Sequence, residues 1–311
     1  MRLGLHALGI GTVARPEIIR AVAIAAEEAG FASLWSGEHV ILADEASSRY
    51  PYSASGRWGM PANEDFLDPL LGLTFAAAVT SRIDLGTGVL LLPEHNPVLA
   101  AKQAATLDVL SGGRLTLGIG IGWLAEEFAA LGIPFARRGQ RTAEYVAAMR
   151  SLWSDDVASF RGEFTTFDSV RLNPKPVRDR RIPVVVGGNS DAALRRVAAF
   201  GDGWYGFNLT AAETAERIGV LAELCHRRGR STRDLSIAVA LTDGEPGMLP
   251  ELARVGVTEL VLVDSLPADP AGAARGVTEL AHRWDLGCTG DRAPPELVRD
   301  GPHSTQDGCP G

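Results

Sequence analysis

The sequence predicts an α/β protein of the (β/α)8 type, a TIM barrel in a single domain with insertions after the second strand and before the fifth, on three observations. Eight apolar or β-branched runs alternate with segments of helical periodicity. Runs such as VLLL from Val89 and PVVVGG from Pro183 are apolar at successive positions, as in strands buried on both faces of a parallel wall. The 311 residues also accommodate a barrel of about 250 residues together with its insertions.

The strand candidates fall in order at residues 3–8, 32–36, 83–91, 115–121, 182–186, 203–207, 235–241 and 258–263. Between the first two, Ile18, Val22, Ala25 and Ala29 recur at helical spacing. Leu99, Gln103, Thr106 and Leu110 do so between the third and fourth, and Ile218, Leu221, Leu224 and Cys225 between the sixth and seventh. Strand, helix, strand in this order requires parallel pairing. Residues 41–64, rich in Ser, Tyr, Pro and Gly, form the first insertion, and residues 154–181 the second. Loops at the carboxyl ends of barrel strands build active sites. The barrel is expected to occupy residues 1–286. The composition of residues 287–311, dominated by Gly, Pro, Asp and Ser, predicts a disordered tail.

A mean hydropathy of +0.05 with 46% apolar residues supports a large core, and no apolar run reaches the length of a membrane span. The amino terminus reads as a first strand, because Gly4, Gly9 and Gly11 interrupt its apolar run and no cleavage site follows. Cys225, Cys288 and Cys309 form no CxxC pair, which indicates neither zinc nor a disulfide framework and fits a reducing cytoplasm. A net charge of −8 disfavours nucleic acid and anionic membranes, leaving a small molecule as the expected partner.

Several residues sit where a barrel carries chemistry. Glu38 and His39 follow the second strand, and a neutral imidazole there can donate, accept or pass on a proton; the alternative is a histidine bonded to loop backbone. Gly88–Val89 interrupts the third strand, where a glycine needs a reason, such as a bulge or a close neighbour. Gly118, Gly120 and Gly122 stand at alternate positions of the fourth strand and clear one of its faces, leaving room for a planar ring. Trp123 follows, either lining a substrate pocket or packing in the core, and His95 lies in the loop after the third strand. Gly187, Gly188, Asn189 and Ser190 open the helix after the fifth strand, offering free N–H groups to a phosphate as readily as an ordinary cap. Glu126 and Glu127 read as capping the helix that follows. The arginine clusters at 137–138 and 178–181 could meet an acidic cofactor tail or simply face solvent. No metal constellation is present in the spacing.

The stretches SLWSGEHV, the block from Arg82 to Phe135, and PVVVGGNSDAALRRVAAFGDGW together resemble the bacterial luciferase-like family of TIM-barrel oxidoreductases, in particular its subgroup using the deazaflavin coenzyme F420. The resemblance implies a flavin or deazaflavin at the carboxyl end of the barrel, with His39 against the ring near its reacting carbon. It also implies a cis peptide at Gly88–Val89 forming a bulge behind the ring, and a frequently dimeric assembly. Trp123 stands where some deazaflavin dehydrogenases of the family carry a catalytic Glu, so the resemblance assigns no proton donor.

Three functions follow as expectations. The first is hydride transfer between F420 and a small organic substrate, the protein supplying position while the cofactor carries the hydride. The second is a two-component monooxygenase, using FMN reduced by an external reductase together with dioxygen. The third is a flavin-binding barrel without turnover, against which His39 and the long loop after strand two argue. Anaerobic turnover separates the first two.

Overall fold

The computed structural model describes residues 1–6 and 8–286. The expected tail, with Cys288 and Cys309, lies outside the described residues. Eight parallel strands close into a barrel: β1 (Arg2–His6), β2 (Ser33–Ser36), a third interrupted strand formed by β3 (Asp84–Thr87) and β4 (Leu90–Leu91), β5 (Leu115–Gly120), β8 (Val184–Gly187), β9 (Gly203–Phe207), β10 (Ser236–Leu241) and β11 (Glu259–Val263). Their order is β3-β2-β1-β11-β10-β9-β8-β5-β4, and pairing of β3 with β5 at Leu85↔Leu115 completes the circle.

Helices cover the wall: α1 (Pro16–Glu28), α2 (Pro69–Ala77), α3 (Pro97–Leu110), α4 (Ala125–Ala130), α5 (Arg138–Ser154), α6 (Asp191–Phe200), α7 (Ala211–His226), α8 (Leu249–Arg254) and α9 (Pro270–Arg283). Local chemistry fixes several starts. Asp68 accepts from Leu71 N and Asn96 from Val98 N and Leu99 N, each followed by a proline at the first helical position. Thr210 and Glu213 close a capping box on α7. The strands' outer residues and the helices' inner faces form the main core, around Leu34, Leu85, Leu117, Val184 and Leu260. A smaller core fills the barrel itself, with Trp35, Val185, Tyr205, Ala238, Ala240 and Val261.

Three expectations change. The stripe Leu99, Gln103, Thr106 and Leu110 faces outward, because α3 packs on the wall through Ala100, Ala101, Ala104, Ala105 and Leu107, whose small side chains allow close approach. The insertion before the fifth barrel strand is more than a loop and carries an antiparallel hairpin, β6 (Ala158–Arg161) and β7 (Thr166–Val170). The arginines at 178–181 immediately precede β8 and so lie at the amino-terminal end of the barrel; Arg180 pairs with Asp156 and Arg181 with Asp202. They cannot reach a ligand at the opposite mouth. No helix is long and apolar enough to cross a membrane among the described residues.

Candidate active site

The carboxyl-terminal mouth of the barrel gathers Glu38, His39, Glu94, His95 and Glu127 from the ends of β2, β4 and β5. His39 is buried, and its Nδ1 lies 3.0 Å from Glu127 Oε2. Glu127 is fully buried, and its other oxygen accepts from the N–H groups of Val40 (2.6 Å) and Ile41 (3.1 Å). One carboxylate thus fixes both the imidazole and the chain leaving it. Glu126 does the same for the insertion, accepting from Ser47 N (2.7 Å), Ser47 Oγ (2.8 Å) and Ser48 N (3.2 Å); hydrogen bonding to Ser48 and Ser47 holds its carboxyl down at about 2. The two acids of the α4 first turn therefore serve the opposite loop, while Leu124 at the N-cap position offers its helix no side-chain bond.

Glu38 accepts from Leu91 N and lies 2.8 Å from His95 Nε2. Burial lowers the affinity of His95 for a proton, but the hydrogen bond and charge of Glu38 outweigh it and raise the imidazole above its ordinary range. Glu94 is the odd member. Both its oxygens are buried without a partner among the described residues, and burial together with the charges of Glu127 and Glu38 pushes its carboxyl up to about 9.

The Gly88–Val89 peptide is cis. It turns Val89 into the barrel, where its methyl groups occupy the space opposite two glycines: a Cβ on Gly120 would stand 2.6 Å from Val89 Cγ2, and one on Gly187 2.8 Å from Val89 Cγ1. A Cβ on Gly118 would collide with the Thr87 carbonyl, and one on Gly122 would stand 2.6 Å from Phe128 and 2.8 Å from Glu94. The open glycine face expected of the fourth strand is thus filled by the chain's own third strand and α4. The glycines seat Val89, and Val89 presents the surface that remains.

Aromatic side chains surround His39. Trp58, Phe66 and Trp123 lie edge-on to it at 5.3, 5.6 and 5.9 Å between ring centres. Tyr50 bridges Trp58 and Trp123, and Tyr52 meets Phe207. Tyr50, Tyr52 and Trp58 belong to the insertion after β2, which therefore roofs the mouth.

At the start of α6, Ser190 caps by accepting from Ala193 N, while Asn189 bonds the backbone of Phe207 through both ends of its amide. Gly188 takes a φ of +114°, a conformation open to glycine. Beside this turn, between α5 and α6, runs an open surface groove of about 500 Å³ whose lining includes Arg137, Arg138, Arg195 and Arg196 and no acidic residue. Arg138 stacks on Phe135 and donates to the Gly122 carbonyl, and Arg137 pairs with Glu163. Arg196 Nε is buried without a partner among the described residues.

The structure thus brings Glu38, His39, His95 and Trp123 together at one mouth and places Gly187–Ser190 at its rim. Glu127, Glu94, the roofing aromatics and the arginines at 195–196 were not singled out as site residues from sequence. No cluster of three or more metal-binding side chains occurs among the described residues.

A closed parallel barrel with a buried His–carboxylate pair under a long loop defines the class of α/β barrels that work from their carboxyl-terminal face. Within it, the chain belongs to the luciferase-like monooxygenase family, whose sequence pattern matches residues 3–242. An uncharacterized protein of Mycobacterium tuberculosis is 35% identical over 257 residues, 81% of this chain and 89% of that protein. The FMNH(2)-dependent dimethylsulfone monooxygenase of Pseudomonas fluorescens is 37% identical over 139 residues, 44% of this chain and 37% of that enzyme. The coenzyme F420 dependent tetrahydromethanopterin reductase from Methanopyrus kandleri superposes with a TM-score of 0.70 at 16% identity, covering 91% of this chain and 97% of that one. Members of the family are oxidoreductases and monooxygenases.

Proposed function

We propose that this protein transfers a hydride between coenzyme F420 and a small organic substrate at the mouth described above. The observation that carries the reading is the open, arginine-lined groove beside the Gly187–Ser190 turn. A cofactor with one phosphate needs a helix start and one cation, whereas a phosphate followed by an acidic tail suits several arginines with no acid between them. The unpartnered Arg196 Nε is a donor that such a group would satisfy.

In this reading Gly187, Gly188, Asn189 and Ser190 hold the phosphate, and Arg138 and Arg196 the groups beyond it. Val89, seated by Gly120 and Gly187 and continuous with Gly88 and Gly122, supports the flat ring. When bound, the cofactor supplies or takes up the hydride. His39, oriented by Glu127, hydrogen-bonds at the reacting edge, and Glu38 keeps the adjacent backbone and His95 in place. Trp123 and His95 line the substrate side, and the insertion's aromatics exclude water from it.

Titrating the full chain with F420 and with FMN, following fluorescence, tests this. F420 is expected to bind more tightly, and the Arg138→Ala/Arg196→Ala double variant to lose at least tenfold affinity for F420 and less for FMN. Tighter binding of FMN, unaffected by the double variant, sinks the reading. A second reading, an FMN-dependent monooxygenase supplied by an external reductase, draws on the dimethylsulfone monooxygenase relative. Turnover in the absence of dioxygen excludes it.

The assembly in this reading is a homodimer. Its support is an apolar surface on adjacent α2 and α3, where Leu71, Phe75, Leu99, Val109 and Leu110 are exposed.

A further inference from the structure

Two imidazoles at the mouth are held in the same way, each by a carboxylate from another element. His39 is bonded through Nδ1 to Glu127. His95, between β4 and α3, is bonded through Nε2 to Glu38 Oε1 at 2.8 Å. Glu38 is itself buried, and its second oxygen accepts from Leu91 N, so the carboxylate is fixed at both oxygens.

The other nitrogen of His95 is available. Nδ1 has no hydrogen-bond partner among the described residues, and it stays open to solvent in a side chain that is 19% exposed. By contrast, both oxygens of the neighbouring Glu94 are closed off from solvent. A free nitrogen on a carboxylate-anchored imidazole is the arrangement of a general acid or base, because the carboxylate sets the ring's orientation and stabilises its charged form. Trp123, on the same side of the mouth, has no proton to give, since an indole N–H is not an acid in water.

We propose that His95, oriented by Glu38, is the proton donor of the reaction at this mouth, acting through Nδ1 on the oxygen of a carbonyl substrate. The assignment rests on the hydride-transfer reading, in which the hydride comes from reduced deazaflavin. The carbonyl carbon gains the hydride, and the C=O π pair moves onto the oxygen. That oxygen takes the proton from Nδ1, whose N–H pair stays on the ring and leaves a neutral imidazole still donating through Nε2 to Glu38. The carbonyl thereby gains the two electrons that the cofactor loses. In the opposite direction neutral His95 accepts the proton of an alcohol. The surroundings suit a donor. Burial alone would lower the affinity of His95 for a proton, but the hydrogen bond and charge of Glu38 outweigh it, together with the charges of Asp68 at the start of α2 and Glu127 in α4. At a given pH, more of this imidazole is charged than of a free one.

NMR of the full chain tests this, with the His95 ring signals assigned by their absence from His95→Gln and 4-nitrophenolate as a probe oxyanion. His95 is expected to titrate with a midpoint above the ordinary 6.5, and with a lower midpoint in Glu38→Gln, which keeps an acceptor for Leu91 N. The phenolate oxygen stands in for the charge that develops on the substrate. It is expected to bind the wild type, to raise the His95 midpoint further, and to lose roughly tenfold or more in affinity in His95→Gln, as for one charge-assisted hydrogen bond. A pair that only braces the loop would leave the phenolate affinity of His95→Gln at the wild-type value and the midpoint unmoved by the probe. Either result overturns the assignment, as does a midpoint at or below 6.5 or an absence of phenolate binding. All these measurements use the protein alone. Failure to bind F420 therefore overturns the proposed function, while the phenolate still decides what His95 does with a proton.

Discussion

His39 is held by a residue 88 positions away in sequence, and that separation explains what could be read in advance and what could not. A histidine just past a barrel strand is visible in the sequence, because the end of the strand is marked by its apolar run. Its partner is not, since Glu127 sits in the first turn of a helix, where an acid already has a local reason to be. Glu127→Gln keeps an acceptor for Val40 and Ile41 but replaces the carboxylate that orients the imidazole. Turnover with F420 is expected to fall roughly 100-fold, within the range of positioned acid–base groups, while cofactor affinity stays within threefold. A parallel loss of affinity would mean that the pair merely braces the loop. Glu94 supports a prediction of opposite character. Its folded carboxyl is raised to about 9 from 4.5, so between those values the folded chain retains a proton that the unfolded chain has lost. That contribution to stability is fully present below pH 4.5 and is lost as pH rises to about 9. Glu94→Gln has no proton to lose, and its melting temperature is therefore expected to gain on the wild type steadily from pH 5 to pH 9 and level off above. Melts followed by circular dichroism check this; a constant difference across that interval would place the proton elsewhere.

At the scale of elements, the third strand reads as one run in the sequence and is built as two, because a chain that turns at Gly88–Val89 keeps its apolar character on both sides of the break. The glycines of β5 were legible as a pattern, yet their occupant was not: nothing local says that the missing side chains opposite would be replaced by Val89, Thr87 and Phe128. Gly118→Ala is expected to destabilise by about 3 kcal/mol, as overpacking against backbone that has no rotamer to yield. Gly72→Ala, in the interior of α2 with nothing within 4 Å of its added carbon, is expected instead to stabilise by about 0.5–1 kcal/mol through helix propensity. Denaturant midpoints of the two variants, moving in opposite directions, test this difference between filled and open glycine positions. The hairpin β6–β7 is not legible in the sequence for a related reason. Its two strands are mostly exposed, and a strand without a buried face leaves little alternation to detect.

For the whole molecule, the helical period itself misled at one point and pointed outward at another. The stripe through Leu99 and Leu110 has the spacing of a core face, yet Leu110 is 63% exposed and, on the neighbouring helix, Leu71 is 68% exposed. Both helices are apolar around much of their circumference: α3 sets mostly alanines against the wall, α2 buries Leu70 and Leu73, and Leu71, Phe75, Leu99, Val109 and Leu110 still face outward, an arrangement a solitary barrel has no use for. A second copy laid across α2 and α3 would bury the large side chains and leave the barrel mouth free. The net charge of −8 does not oppose this, since α2 carries no charged residue and α3 only Lys102 and the buried Asp108. The wild type is therefore expected to sediment at twice its 32.9 kDa chain mass. Leu71→Glu combined with Leu110→Glu would place two carboxylates at the centre of that contact and shift it to a single chain, with an unchanged circular dichroism spectrum showing that the barrel itself persists. The wild type sedimenting as one chain at tens of micromolar would remove the dimer from the proposal. Because α2 follows directly on the aromatic insertion and α3 on His95, a partner there would brace both approaches to the mouth. The double variant is accordingly expected to bind F420 more weakly than the wild type, although neither substitution touches the site.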